Sequence, residues 1–586
     1  MDCVSHQSHK AVQPHNSQQN GLLAPMINRH LWHAFGLLII VVAASMLYVP
    51  HLSNQLVFDD HGMFSALQVY DYAQKLFDLR PRTFPYFTLG IVQVEFGQIE
   101  AHRTISLVIH ILCAGMLFAL IHELVSQALK NSESSAASEK KSAGLALVGS
   151  LWFAIHPVAV YGAGYLVQRT ILFATLFSLL SLWFYCRAFS KNRTVDVITA
   201  ALFYSLAVFS KEHAVMLLFA VIPFAALYSP RLQSSARRVG LYLLLCIPAA
   251  ITVVISAKSV VASTYEPYVG ILLNQIQGIP LLETPLGKWL VSVTLQAGFF
   301  FDYLGYWILP DVRSMSIDMR VDFTRLWHTW FTIPKAAIFA ICPFVAAYLI
   351  RKRGPAALFG CGLLYCWLLF FTELVTVRFQ EPFALYRSYL WAPGYLFMVV
   401  AVLSYLRLRW VVALSAPLLL GSACLAQERL SSLATESTAW TDAAAKLESK
   451  SVVGSARIFY MRGVQYVKEK KYREAIADFT EAISRYPNAP QIYYQRGIAY
   501  YSLHEFTKAQ AEFDQAITVD GKFAYAHFAR GMVFEHFGCA WEARNAYAKS
   551  HELGIAVAAM KLKEEDQALL THKPTSNSVK CPITKG

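Results

Sequence analysis

The sequence predicts an all-α protein: a polytopic membrane helix bundle of about eleven spans, followed by a helical-repeat domain. Three observations carry this reading. Residues of the AVILMFWYC set make up 56% of the 586 positions and charged residues only 15%. That balance is too apolar for an ordinary soluble chain and excludes disorder, a collagen-like rod and a secreted disulfide scaffold. The apolar residues gather into runs approaching the ~20 that a helix needs to cross a hydrocarbon core. Finally, a polar-flanked pattern recurs every 34 residues from Ala456 onward.

The spans follow in order. They are expected at Leu31–Pro50, His102–His122, Ala143–Tyr161, Thr170–Arg187, Val195–Ser210, His213–Tyr228, Gly240–Ser256, Phe331–Ile350, Ala356–Thr372, Tyr386–Tyr405 and Trp410–Ala426. Residues 1–30 are polar and read as a cytoplasmic tail, with the first apolar run retained as a helix rather than cleaved as a signal. The net charge of +13 is concentrated in short clusters between runs: Lys130 with Lys140 and Lys141, Arg187–Arg193, Arg231–Arg238, Arg351–Arg353 and Arg407–Arg409. Such clusters mark the cytoplasmic side, so the basic balance reads as topology and not as nucleic-acid binding. Loops 51–100 and 257–330 and everything after Ala426 then face the other side. Lys288–Leu309 is also long and apolar. A crossing there would invert the charge bias, so it reads as a helix on, or re-entering, the outer face. Most of the 10 cysteines lie inside apolar runs and none forms a CxxC pair, so no metal site is expected.

The C-terminal pattern is strongly determined. Ala456, Pro490 and Ala524 begin three units. Within each, Gly463, Gly497 and Gly531 mark a close helix approach; Ala475, Ala509 and Ala543 supply the small residue of a second helix, and Phe479, Phe513 and Tyr547 the large one. A 34-residue period with these positions is the tetratricopeptide repeat, whose units stack because none buries its own apolar face. Residues 427–455 read as linker and cap, 456–557 as three repeats, and 558–586 as a terminal helix and tail.

Polar residues collect at the outer ends of the spans. Val57-Phe58-Asp59-Asp60-His61 follows the first span; Arg82, His102, His156, Arg169, Lys211, Glu212, Glu381 and Arg387 stand at comparable depth. Each alone reads as a solvated or interfacial side chain. Together they form a basic, His-containing rim with carboxylates, suited to holding a lipid-linked phosphate while a carboxylate takes a proton.

At these residues the chain resembles a known family. Arg82-Thr83-Phe84-Pro85-Tyr86-Phe87-Thr88-Leu89 with Phe96-Gly97, His102 and His110 is similar to the first-loop and second-helix signature of the transmembrane and tetratricopeptide-repeat O-mannosyltransferases and their bacterial relatives. So are Phe153-Ala154-Ile155-His156-Pro157, Gln168-Arg169-Thr170, Phe209-Ser210-Lys211-Glu212-His213-Ala214, Phe379-Gln380-Glu381-Pro382-Phe383-Ala384-Leu385-Tyr386-Arg387 and Pro393-Gly394. The resemblance implies a GT-C-like glycosyltransferase domain over 31–426, with Asp59 and Asp60 as its acidic outer motif.

It further implies an enzyme that moves a sugar from a polyprenyl-phosphate donor to a hydroxyl of an acceptor protein, such as a pilin or other surface protein, with inversion. Asp59 is then the base and Asp60 its support. Arg169, Lys211, Arg387, His102 and His156 hold the donor phosphate, while Glu212, Glu381 and Arg82 serve the acceptor or support the site. The repeats recruit the acceptor polypeptide. No cofactor is obligatory, although Mg2+ or Mn2+ is compatible with adjacent aspartates. The expected location is a bacterial inner membrane, with active site and repeats on the periplasmic side. The alternatives are a non-catalytic membrane scaffold docking partners through its repeats, and a lipid-linked sugar polymerase or transporter.

Overall fold

A computed structural model describes residues 18–571 apart from 65–66, 77, 79, 131–133, 229–231, 258–272, 274–275, 277–278, 323–325, 328, 380 and 448–451. Residues 1–17, most of the first part (258–278) of the expected outer loop 257–330, with Tyr265, Glu266 and Tyr268, Arg231, Gln380, and the tail 572–586 lie outside the described residues.

The described chain is helical, with no strand and a single isolated bridge between Met319 and Phe383. Seven helices are long and apolar enough to cross a membrane: Trp32–His51, Ile99–Leu129, Arg169–Ser190, Ser235–Ser256, Thr332–Arg351, Gly354–Leu374 and Leu408–Ser432. The first belongs to a helix that begins at Gln18, inside the stretch expected to be a tail.

Four expected spans take other forms. The third is Ser135–Ile155 followed by Pro157–Ala163, bent by 61°. Pro157 has no amide to donate, so the helix restarts there, and the His156 ring accepts the Val158 amide at 3.2 Å as a cap. Glu212–Tyr228 is a series of short 3-10 and α turns around Pro223, and Tyr386–Tyr405 becomes the 3-10 turn Leu385–Tyr389 plus the short helix Ala392–Leu403. The fifth, Thr194–Ser210, is a continuous helix but short. The first outer loop carries the helices Asp60–Phe64, Gln68–Tyr72 and Thr83–Glu95.

Close packing in the bundle uses small residues. A Cβ on Gly362 would meet the Gly394 carbonyl at 2.5 Å, and one on Gly394 the Gly362 carbonyl at 2.7 Å, so the two helix backbones touch. The ambiguous segment is a continuous helix, Pro285–Ile308, buried along one face. Gln296 donates to the Pro382 carbonyl at 2.8 Å, Tyr303 donates to the Ala384 carbonyl at 3.2 Å, and the Tyr303 ring stacks on Phe383 at 4.0 Å. Its task is therefore to hold the 381–390 turn, whatever its relation to a bilayer.

Residues 427–432, expected as linker, prolong the Leu408–Ser432 helix. Arg429 on it is fully buried, bonding Asp442 at 2.8 Å as well as Glu428 and the Met315 carbonyl. Glu436–Ala445 follows with a Thr435/Thr438 capping box. Six helices in three antiparallel pairs, from Ala456–Lys468 to Ala540–Glu552, then form the repeats, and Ala556–Thr571 covers the last pair. Each repeat glycine faces the large residue of its partner helix; a Cβ on Gly497 would meet the Phe513 ring at 2.5 Å. Replacing Gly497 by Val overpacks this contact and is expected to cost about 1–3 kcal/mol. Hydrogen exchange on the full chain should show faster exchange in Pro490–Val519 and unchanged exchange in the bundle; unchanged exchange in both would refute the packing argument.

Candidate active site

The polar residues of the first outer loop sit at the bundle end that receives the repeat domain. Phe58 adopts a left-handed backbone (φ 55°), rare for a bulky residue. Its ring is fixed by three neighbours: Trp440 at 5.7 Å, Tyr165 at 6.4 Å and the Arg457 guanidinium at 4.7 Å. The turn separates the two aspartates. Asp60 is fully buried and accepts the Val167 amide at 2.9 Å, whereas Asp59 remains exposed to solvent. Burial holds the Asp60 carboxyl above the usual carboxylate range. Water reaches Asp59, but the surrounding walls still dehydrate it. Dehydration first, then Glu381 and Asp60, push its carboxyl up to about 6 against the opposing pull of Arg457 and Lys211.

A small open recess beside Phe58 is lined by Phe58, Tyr161, Tyr165, Asp318, Glu381 and Tyr386, among others; Asp59 follows Phe58 and feels the charge of Glu381. Its far wall depends on the first repeat. Arg457, on the opening turn of that repeat, bonds Glu381 at 2.8 Å and approaches Asp318 at 3.9 Å. Burial works against ionising Glu381, but Arg457 outweighs it and holds that carboxyl below its usual range.

A second group is buried beside it. Glu373 pairs with Arg378 at 3.0 Å, Arg387 at 3.7 Å and His213 at 3.3 Å. Arg82, also left-handed (φ 67°), bonds Glu212 at 2.9 Å through Nε. Lys211 is 8% exposed and, among the described residues, its ammonium makes no hydrogen bond or ion pair. Burial, then Arg82, push its ammonium down to about 7. The group thus gathers Arg82, Arg378, Arg387 and Lys211 around Glu212 and Glu373, with Glu381 near enough to Arg387 to feel its charge. A buried ammonium in such a cation-rich group is suited to an added anion.

Three residues expected at the donor phosphate are used elsewhere. Arg169 is fully buried, with its donors on Ser106 at 3.3 Å, Thr88 at 3.4 Å and the His102 carbonyl at 2.7 Å. His102 faces Gln93 at 3.1 Å and the edge of Phe64. His156 stacks on Trp307 at 4.5 Å inside the aromatic core. The contacts of all three are with packed protein. Asp302, in the expected outer loop 257–330, pairs with Lys335 at 2.7 Å and does not line the recess. The structure adds Arg457, Asp318 and Tyr165 at the recess and Glu373 and Arg378 beside Lys211, none of which the sequence singles out. Nothing in their local sequence marks the first three, since their neighbours come from distant parts of the chain.

Among the described residues, Asp59 and Asp60 do not belong to any cluster of three ligand-type side chains.

The tetratricopeptide repeat model matches residues 456–489 and 490–523, and the third helix pair continues the same register. No curated protein matches the chain. Among solved structures, the first repeat domain of human RPAP3 is 27% identical, covering 20% of this chain and 93% of that one at TM-score 0.19. The Sgt2 repeat domain from Aspergillus fumigatus is 22% identical, covering 22% and 91% at TM-score 0.20. The Arabidopsis OM64 repeat domain is 22% identical, covering 20% and 96% at TM-score 0.19. At these scores they are likenesses only. The tetratricopeptide assignment rests on the matched 34-residue units and their paired helices.

The electrostatic reading of Asp59 is directly testable. A diazo reagent esterifies only the protonated carboxyl, so peptide mass spectrometry should show half-maximal labelling of Asp59 near pH 6. Arg457→Gln removes a cation that favours the carboxylate, so that midpoint should move to higher pH. A midpoint that stays put, or moves down, would show that Arg457 does not act on Asp59.

Proposed function

We propose that this chain is an integral-membrane protein O-glycosyltransferase, using a polyprenyl-phosphate-linked sugar as donor and a protein hydroxyl as acceptor. The observation that carries the proposal is the unpaired, buried Lys211 in a cation-rich group beside the solvent-reachable carboxylate Asp59. An anionic lipid headgroup pairs with the buried ammonium, and the adjacent carboxylate accepts a proton. The seven long apolar helices support membrane residence. The basic clusters at the opposite end support an outward-facing site, in a bacterium a periplasmic one.

In the proposed reaction the acceptor hydroxyl gives its proton to Asp59. Its oxygen forms a bond to the anomeric carbon as the bond from that carbon to the phosphate oxygen breaks. The lipid phosphate departs as an anion held by Lys211 and Arg387, without needing a second acid. A single displacement inverts the anomeric centre. Asp60, held by the Val167 amide, orients Asp59; Arg82–Glu212 fixes the turn that presents Lys211; Glu381 and Arg457 shape the recess. The repeats raise the local concentration of the acceptor polypeptide.

One observation favours the scaffold reading: the repeats are what a family model recognises, and the first repeat domain of Spaghetti was solved with an HSP90 peptide. A scaffold would need the repeats and not Asp59. Intact-mass measurement of surface proteins from cells carrying wild type, Asp59→Asn or Lys211→Met separates the two. The enzyme predicts a sugar-sized mass that falls by about 10²–10⁴-fold in rate in Asp59→Asn at normal protein level; an unchanged mass would remove the base assignment.

The pH dependence follows from the two perturbed groups. Asp59 must be ionised, so kcat/KM should rise with pH through about 6; Lys211 must be charged, so it should fall again above about 7. Lys211→Met should lower the maximum, abolish the alkaline limb and move the acid limb to higher pH, because Lys211 favours the Asp59 carboxylate.

A further inference from the structure

We propose that His33, His122 and Glu139 form a divalent transition-metal site of the zinc class at the end of the bundle opposite Asp59. The three side chains come from three helices: the first long helix, the C-terminal part of Ile99–Leu129, and the opening of Ser135–Ile155. One ligand atom from each lies within 4.8 Å of the others. His122 Nε2 is 3.2 Å from Glu139 Oε1, and the two imidazole rings meet edge-to-face at 4.5 Å. Ligand atoms on a tetrahedral Zn2+ stand about 3.3 Å apart, so closing the triad takes side-chain adjustments of about 1 Å.

The donor set selects the ion class. Two imidazole nitrogens with one carboxylate oxygen suit Zn2+ and its neighbours, whereas Mg2+ and Ca2+ prefer all-oxygen shells. Burial divides the roles. The His122 side chain is 5% exposed and supplies a rigid ligand; Glu139 is 38% exposed, leaving a path for the ion and room for water as a fourth ligand. Packing holds the first helix more weakly than its neighbour: 28% of its span window is buried, against 56% for Ile99–Leu129. It approaches the second helix where Gly36 leaves space for Phe118, since a Cβ there would meet that ring at 2.9 Å, and Phe118 lies edge-on to His33 at 5.9 Å. A metal held by all three side chains joins the first helix to the following hairpin at the point where chain spacing alone does not. This site does not depend on whether sugar transfer occurs.

The test uses the full chain purified in detergent through a tag that lacks histidine, freed of metal and then equilibrated with Zn2+ and washed. Elemental analysis should find about one Zn2+ per wild-type chain and less than about a fifth of that in His122→Ala and Glu139→Gln. Co2+ in place of Zn2+ should give visible absorption bands that both variants lose. Glu139→Gln is the more informative variant because its partly exposed side chain can change without leaving a cavity. His6, His9 and His15 remain in every protein, so binding by the N-terminal segment would persist in both variants. Zinc retained equally by wild type and Glu139→Gln, or no Co2+ bands in wild type, would reduce the triad to a hydrogen-bonded cluster and overturn the proposal.

Discussion

Burying charge at one end of an apolar bundle is the constraint on which the rest of this structure depends. Glu373 is 3% exposed and survives as part of the fold only because Arg378, Arg387 and His213 surround it. Those partners lie on the turn after the Gly354–Phe370 helix and on the broken segment after Ser210, so the ion pairs lock two irregular stretches together. Irregular backbone at this depth leaves amides and carbonyls unpaired by helix, and it is tolerated where protein covers it. The Pro285–Ile308 helix provides that cover through Gln296 and Tyr303. Lys211 is buried beside these pairs as a consequence of the same packing.

The repeat domain is part of the same construction. Trp440 packs under Phe58, His61 meets Glu436 at 2.9 Å, and Arg457 reaches over Phe58 to Glu381. The repeats therefore begin at the wall of the recess instead of at the end of a free tether. A polypeptide held by the repeat groove starts close to Asp59, and movement of the first repeat would alter the charge that Asp59 experiences. Within the repeats, Arg462–Asp478 at 2.7 Å and Arg496–Glu512 at 2.8 Å tie helix pairs across the same sequence interval. The ladder stiffens the array that carries Arg457.

The acidic pair and Lys211 were legible because each stands in a compact run of polar residues between apolar segments. Asp59 and Asp60 are adjacent in sequence, yet only the left-handed turn at Phe58 sends one to solvent and the other into the core. Arg169, His102 and His156 show the converse. A polar residue at the end of an apolar run reads as a candidate ligand whichever way it points, and here the side chains point into Ser106, Gln93 and Trp307. Arg457 was illegible for a different reason: it belongs to a repeat whose pattern already accounted for its neighbours.

Local pattern alone determined the helical class, the apolar spans and the 34-residue repeat, because hydrophobic periodicity and glycine spacing act over one or two helical turns or one repeat unit. Tertiary structure decided which helices break, which charges neutralise one another and which ammonium stays unpaired. Electrostatic pairing depends on distance in space, and Glu381 with Arg457, or His33 with Glu139, become neighbours only after the intervening chain has packed.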